Sequence, residues 1–127
     1  MGYDNRFTGE ITITPPLTWS EIESGPKLLD VQLRVTEARR AAEDRDFEIV
    51  CRTADAIIPH EGGYSGHRVL DDLAAVVAHY EGHEFAGHIQ VQWDSDFGDP
   101  IPTRYAVRGR DVVEVRATLV WPDEADA

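Results

Sequence analysis

The sequence predicts an α+β fold, with a five- to six-stranded, mainly antiparallel sheet, one long helix packed on its apolar face and a short N-terminal helix. Three observations lead to this prediction. Apolar and polar residues alternate in six separate stretches, which is typical of strands with one wet face. A segment from about Gly66 to Tyr80 repeats apolar residues at helical spacing instead. No linker divides the chain, so we expect one α+β domain over residues 1–121 and an acidic, disordered tail at 122–127.

Each alternating stretch predicts one strand. The predicted strands are Glu10–Thr14, Leu29–Thr36, Phe47–Arg52, Glu84–Trp93, Arg104–Arg108 and Val112–Trp121. In the third strand, alternation turns Phe47, Ile49 and Cys51 inward, so Cys51 is expected to be a buried thiol rather than a nucleophile. In the last strand the residues predicted to share one face are Val113, Val115, Ala117, Leu119 and Trp121.

The two helices are predicted from their ends. Thr18 and Glu21 have the spacing of a capping box, in which the Thr oxygen accepts an amide and the Glu reaches back. Ser65 is the expected N-cap of the long helix, and Gly82 its left-handed C-terminal cap. The apolar stripe of this helix is expected to cover one face of the sheet.

The formal charge of −12 comes from 24 acidic and 12 basic residues, and residues 41–100 hold 13 acids against three arginines. Such a surface repels nucleic-acid phosphates and anionic lipids, so we expect no direct binding to nucleic acid or membrane. Solubility explains the acidity. An alternative is a nucleic-acid mimic that inhibits a basic protein, with Asp94, Asp96 and Asp99 in its interface.

The chain has a single cysteine, so it forms no internal disulfide. That composition is typical of a reducing compartment. The opening MGYDNRFTGE lacks the apolar run of a signal peptide, and the longest apolar run, residues 73–78, is too short to span a bilayer. We therefore expect a cytoplasmic protein.

Three histidines lie within ten residues, at His79, His83 and His88. The H-x3-H spacing of the first two could place both on one zinc ion if the helix continued through them. The predicted helix end at Gly82 makes the two side chains diverge, which favours ordinary cap and surface histidines. We expect no cofactor, and a metal site at these three residues is the alternative.

Polar residues on the wet face of the predicted sheet suggest a second alternative. A histidine with carboxylates and arginines is the set used for general acid–base catalysis and charge stabilisation in phosphoryl transfer. The same residues are also typical of cross-strand ion pairs on a solvated sheet. The candidates for a small hydrolase or phosphoryl-transfer site are His88, Glu48, Glu114, Arg34, Arg52 and Arg116, with Arg104 beside them.

Several stretches resemble a family of small uncharacterised actinobacterial proteins with relatives in actinophages. The resemblance rests on the opening MGY, the segment RFTGEI followed by ITPPL and Trp19, the helix that ends in His79, and the ending VWPDE. It covers nearly the whole chain, although residues 94–104 depart from the family pattern. The resemblance implies no activity, and it implies a cytoplasmic accessory protein of a bacterium or a phage.

The sequence favours a non-catalytic binding or accessory protein that acts through protein–protein contacts. We expect its interface on the wet sheet face, an exposed strand edge or the acidic region 41–100, with a second protein or a second copy as partner. The expected binding residues are Asp94, Asp96, Asp99, Gln90 and Gln92.

Overall fold

The computed structural model describes residues 6–60, 66–92, 101–118, 120 and 122. Its elements are β1 (Arg6–Thr18), α1 (Trp19–Glu23), β2 (Val31–Ala42), β3 (Arg45–Pro59), α2 (Val69–His79), β4 (Glu84–Gln92), β5 (Pro102–Gly109) and β6 (Asp111–Arg116). The predicted cap Ser65 lies outside the described residues, as do Leu119 and Trp121 of the predicted last strand and the predicted tail except for Pro122.

The six strands form one sheet in the order β2-β3-β1-β4-β5-β6, and every neighbouring pair is antiparallel. The first strand therefore lies in the middle of the sheet, between β3 and β4. The β2–β3 and β5–β6 hairpins each supply one edge. Neither described helix is long and apolar enough to cross a membrane.

The prediction of an α+β fold with one long helix on the sheet is wrong. The described chain is mostly antiparallel sheet, and its helices have 5 and 11 residues. The second helix has Arg68 as its N-cap and Tyr80 as its C-cap, so it begins later than predicted and ends two residues before Gly82. The strands are longer than predicted, because β2 continues to Ala42 through a stretch, EARRAA, that local propensity favours as helix. Pairing with β3 overrides that preference.

The core lies on one side of β1, β4 and β5, where the buried residues of α2 complete it. Phe85 is the largest fully buried side chain, and Leu73 and Val76 of the helix are also fully buried. Apolar burial of this kind contributes about 1.5–3 kcal/mol per large side chain. The core cluster includes Ile11, Ile13, Leu17, Val31, Ile57, Val69, Leu73, Val76, Val77, Tyr80, Phe85, Ile89, Val91, Tyr105 and Val107.

Two buried aspartates fasten α2 to the start of β2. Oδ2 of Asp72 accepts hydrogen bonds from the amides of Leu29, Asp30 and Val31, at 3.0, 2.7 and 3.1 Å. In return, Oδ2 of Asp30 accepts the amide of Arg68 at 2.6 Å. Because the carboxylates satisfy amides that would otherwise be unpaired inside the protein, each is worth more than an ordinary surface polar contact.

The predicted capping box at α1 is confirmed. The Thr18 hydroxyl accepts the Glu21 amide at 3.2 Å, and Oε1 of Glu21 accepts the Thr18 amide at 3.0 Å. Both contacts satisfy amides at the start of the helix that have no partner within it.

Val113 and Val115 share one face of β6, as the alternation predicts, and that face is the outer one. The β5–β6 register pairs Thr103, Tyr105 and Val107 of the buried row with Arg116, Glu114 and Val112. Val113 and Val115 consequently lie on the opposite, outer face of the sheet, where they are 48% and 50% exposed. A two-residue turn at Gly109 and Arg110 fixes this register, and a shift of one residue exchanges the two faces of a strand.

The guanidinium of Arg110 ties that turn to the end of α2. Its Nη1 donates to the carbonyls of Tyr80, Glu81 and His83 at 3.1, 3.2 and 3.3 Å, and its Nη2 donates to the carbonyl of Val77. A cation suits the negative end of the helix, and the carbonyls there lack helical partners. The position of β6 is thus set by the helix as well as by β5.

Two glycines allow β1 and β4 to approach closely. Gly9 and Gly87 have φ values of +97° and +133°, which side-chain-bearing residues rarely adopt. A Cβ at Gly9 would lie 2.3 Å from the His88 carbonyl oxygen, and one at Gly87 would lie 2.3 Å from the Glu10 carbonyl oxygen.

Candidate protein-interaction surface

The distal half of the β2–β3 hairpin extends beyond the rest of the sheet. The neighbouring strand β1 pairs with β3 only as far as Thr18 opposite Thr53, whereas β2 and β3 continue to pair to Ala42 opposite Arg45. Residues 36–52, which we call the arm, therefore form a ribbon of two strands with no third strand beside them among the described residues. A two-stranded ribbon is marginally stable in water unless something packs against it.

The arm leaves large apolar side chains in solvent. Phe47, Ile49 and Val50 are 41%, 39% and 54% exposed, and Val35 at the base of the arm is 41% exposed. Cys51 is exposed as well, so the prediction of a buried thiol is wrong. The core ends at Ala54, and a register shift between Cys51 and Ile49 interrupts the alternation from which the burial of Cys51 was predicted.

Charged and aromatic side chains alternate in a row along one face of the arm. The Arg52 guanidinium lies 5.1 Å from the ring centroid of Trp19 and donates through Nε to Glu37 at 3.0 Å. Glu37 also accepts from Nη2 of Arg39 at 2.9 Å, and Arg39 lies 4.3 Å above the Phe47 ring. This row, from Trp19 to Phe47, holds both cations over aromatic faces.

The row is electrostatically matched but exposed. Arg39 and, after it, Arg52 lower the pKa of the Glu37 carboxyl by hydrogen bonding and charge. Because solvent screens such exposed pairs, each adds little to the free energy of unfolding. The ion pairs therefore orient the side chains of the arm without replacing the apolar burial that it lacks.

A second ion cluster marks the base of the arm. Arg34 donates through Nε to Asp55 at 3.1 Å and through Nη2 to Glu10 at 3.2 Å, which joins β2, β3 and β1 on the outer face. The same guanidinium lowers the pKa of the Asp55 carboxyl. Asp55 is the extra residue of a β-bulge, since Arg34 pairs with Ala56 and Val35 with Ala54.

The arm differs from the rest of the molecule in charge. Residues 36–52 contain four arginines and five acidic residues, which gives −1 of the total of −12 and leaves −11 for the other residues. Within the arm, Glu37 pairs with two arginines and Glu48 pairs with Arg40. The arm therefore carries little of the net negative charge that repels acidic molecules from the chain.

The structure does not bring the proposed catalytic set together. His88 lies on the outer face of β4, directly opposite Glu10 of β1, and Arg34 reaches the same Glu10. Glu48 and Arg52 lie on the arm, each in an ion pair. Glu114 and Arg116 lie on the opposite face of the sheet from His88, since they pair with Tyr105 and Thr103 of the buried row.

The three histidines of the proposed metal site have separate surroundings. The ring of His79 stacks edge-on against Tyr80 at 4.9 Å, and His88 lies on the outer sheet face. His83 is buried, with Nδ1 2.6 Å from the Pro15 carbonyl oxygen and Nε2 2.7 Å from Oε2 of Glu21. Among the described residues no three His, Cys, Asp or Glu side chains are grouped to hold a metal ion.

The predicted binding residues are only partly described. Gln90 lies on the outer face, where its side-chain oxygen accepts from Nε of Arg104 at 2.8 Å, and Gln92 follows in the same row. Asp94, Asp96 and Asp99 lie outside the described residues. Beside this row, Ala106, Arg108, Val113 and Val115 line an open recess of about 220 Å³.

The whole chain matches one family model, over residues 1–127, described as a family of unknown function, DUF6205. The chain belongs to this family. The comparisons with curated proteins and with solved structures gave no match. The family relationship therefore brings no activity, ligand or partner with it, and the functional argument rests on the geometry of the chain itself.

Sequence reasoning missed the central residues of the row on the arm, namely Trp19, Glu37, Arg39 and Phe47. One local signal was present, because Ile49 and Val50 are consecutive apolar residues in a strand with one wet face. Val50 is the extra residue of a bulge, since Ala38 pairs with Cys51 and Arg39 with Ile49. Such a break in alternation indicates a strand that leaves the regular sheet.

Proposed function

We propose that this chain is a non-catalytic accessory protein that acts by binding a protein partner, and that the arm is its interface. The observation that carries the proposal is the exposure of Phe47, Ile49 and Val50 on a ribbon that no third strand joins in the described part of the chain. Exposed apolar groups and free strand edges are the features by which β proteins recognise other polypeptides.

Two further observations favour the arm over the other candidate surfaces. Aromatic and arginine side chains are enriched at the centres of protein interfaces, and the arm presents Phe47 with Arg39 and Trp19 with Arg52. The alternative hydrolase site is divided between the arm and two faces of the sheet, so its residues have no common centre. The acidic-mimic alternative depends on aspartates outside the described residues.

The proposal also includes the cellular compartment and the origin of the protein. An exposed free thiol at Cys51 suits a reducing cytoplasm. The resemblance of the N-terminal residues supports an origin in an actinobacterium or its phage.

In-cell photo-cross-linking tests the proposal. A photoreactive aromatic amino acid is placed at Phe47 in one variant and at Val113 in another, because both positions are exposed apolar residues, 41% and 48% accessible. After irradiation in the source organism, we expect discrete cross-linked polypeptides from position 47 and none from position 113. Equal adducts from both positions, or none from position 47, would contradict an interface at the arm.

A further inference from the structure

We infer that the partner of the arm is a second copy of this chain, paired antiparallel through strand β2 with Ala38 opposite its own copy. This inference rests on the proposed function, since it names the partner of the same surface. It follows from three properties of β2: its edge position in the sheet of described strands, an uninterrupted backbone and a charge pattern that complements itself.

Strand β2 forms one edge of the sheet and has β3 as its sheet neighbour. It has 12 residues, twice the length of β6 at the other edge. Between Val31 and Arg40 both register irregularities insert their extra residue into β3, at Asp55 and Val50, so β2 itself is unbroken. A long regular edge presents a row of amides and carbonyls to another strand, whereas short or bulged edges prevent pairing.

Symmetry limits how β2 can pair with its copy. In a twofold antiparallel pair, hydrogen-bonded and non-hydrogen-bonded positions alternate, so one residue must lie opposite its own copy. With Glu37 in that position, two carboxylates meet, and Arg34 also meets Arg40 of the second copy. With Arg39 there, two guanidinium groups meet. Like charges directly opposite one another are unfavourable.

The intermediate register places Ala38 opposite Ala38 and removes both conflicts. Glu37 of each chain then lies opposite Arg39 of the other, and Val35 lies opposite Ala41. Glu37 and Arg39 already share one face and one ion pair within the chain, so the two copies join their rows into a single cluster. Among these three registers, this is the one that pairs opposite charges and opposes no like charges.

The overall charge supports pairing at this place. Two copies of a chain with charge −12 repel one another at most approaches, but the arm contributes only −1 of that charge. Pairing along β2 also brings Phe47 and Ile49 of both arms onto one four-stranded surface. The arm thereby gains the third strand that it lacks in the single chain.

A disulfide at the proposed twofold position is the direct test. Ala38→Cys is made in a Cys51→Ser background, and the matched control is Val113→Cys in the same background. Directly opposed residues of an antiparallel pair have Cα atoms about 4.5–5.5 Å apart, within the range of a disulfide. Under mild oxidation we expect a covalent dimer from the Ala38→Cys protein and a monomer from the control. Equal cross-linking of both proteins, or of neither, overturns the inference.

A charge-exchange experiment separates pairing between chains from a role within one chain. Glu37→Arg alone and Arg39→Glu alone should each weaken dimerisation about 10- to 100-fold, since each places like charges in opposition. An equimolar mixture of the two variants restores both opposite-charge contacts, so we expect a heterodimer by sedimentation velocity and native mass spectrometry. Two folded variants that stay monomeric when mixed overturn the register.

The failure of this inference and that of the proposed function give different results. If the purified chain is monomeric up to about 1 mM and the Ala38→Cys protein forms no dimer, the second copy is excluded. Cross-links from position 47 to a different polypeptide in cells would then still support the arm as an interface. Absence of cross-links from position 47 removes the proposed function itself.

Discussion

The base and the tip of the β2–β3 hairpin both contain apolar residues at alternating positions, but these residues have opposite surroundings. Near its base, Val31 and Ile57 are fully buried against the core. Near its tip, Ile49 and Phe47 occur in the same kind of alternating strand and are about 40% exposed. Alternation determines which side chains share a face, but packing against α2 and the rest of the core determines whether that face is covered. The first region stabilises the fold, and the second is available for binding.

Paired phenylalanine substitutions give the largest expected contrast between these regions. Phe85→Ala removes a fully buried side chain and should lower the free energy of unfolding by about 3–5 kcal/mol. Phe47→Ala removes the same atoms from the arm and should change it by less than about 0.5 kcal/mol for a monomer. Urea denaturation of both variants at a concentration below dimerisation provides the measurement. Similar losses in the two variants would show that the arm belongs to the core.

Neighbouring aspartates on α2 sharpen the comparison at the junction of helix and sheet. Asp72→Ala leaves the amides of Leu29, Asp30 and Val31 without their acceptor and should cost about 2–3 kcal/mol. Asp71→Ala, one residue earlier, removes only an exposed pair with Arg68 at 3.4 Å and should cost less than about 0.5 kcal/mol. Thermal unfolding of the two variants distinguishes them. A loss from Asp71→Ala as large as that from Asp72→Ala would contradict the assigned contacts.

The smallest expected effect is a pH dependence at α1, the helix beside the base of the arm. The Thr18 amide, and after it the His83 ring, lower the pKa of the Glu21 carboxyl below its usual value. Glu21 therefore adds stability above the pKa of the unfolded chain, and that stability is lost as the pH falls through the lowered folded value. The stability difference between the wild type and Glu21→Gln should be under about 1 kcal/mol at pH 7. It should shrink as the pH falls below about 4.

The control for that titration is the chain with Arg34→Gln, whose ion pairs lie on the outer face, away from α1. When Glu21→Gln is introduced into the Arg34→Gln chain, the stability difference that it causes should have the same pH profile as in the wild-type chain. A difference that does not shrink towards acid pH would show that ionisation of Glu21 does not stabilise the folded chain.

The positions of most strands could be predicted from the sequence, because period-two alternation depends on each strand alone. The segment predicted at 84–93 is observed as Glu84–Gln92. The ends of the strands were harder to predict from the sequence, since EARRAA forms a strand only because β3 pairs with it. The face of β6 was also beyond alternation, because Val112, Val113 and Val115 fit either face until the turn at Gly109 fixes the register.

The sequence predicted the type of interface but not its position in the chain. An exposed strand edge and a protein partner were expected from composition and pattern. The arm itself depends on β1 lying beside β3 and ending its pairing at Thr18, which brings together residues 35 positions apart. The row on the arm joins Trp19 of α1 to Arg52 of β3 for the same reason. Sequence spacing carries no information on such contacts until the strand order is known.

The central place of β1 has a consequence for how the chain acquires its structure. Arg6–Thr18 is synthesised before both of its neighbours, β3 and β4, which follow only at Arg45–Pro59 and Glu84–Gln92. Its main partner contacts, such as Phe7 with Val91, span most of the chain. Contacts of such long sequence separation make folding slow. The β2–β3 hairpin, by contrast, is local, so its strands can pair while β4 is still being made, although such a ribbon becomes stable only when the core packs against its base.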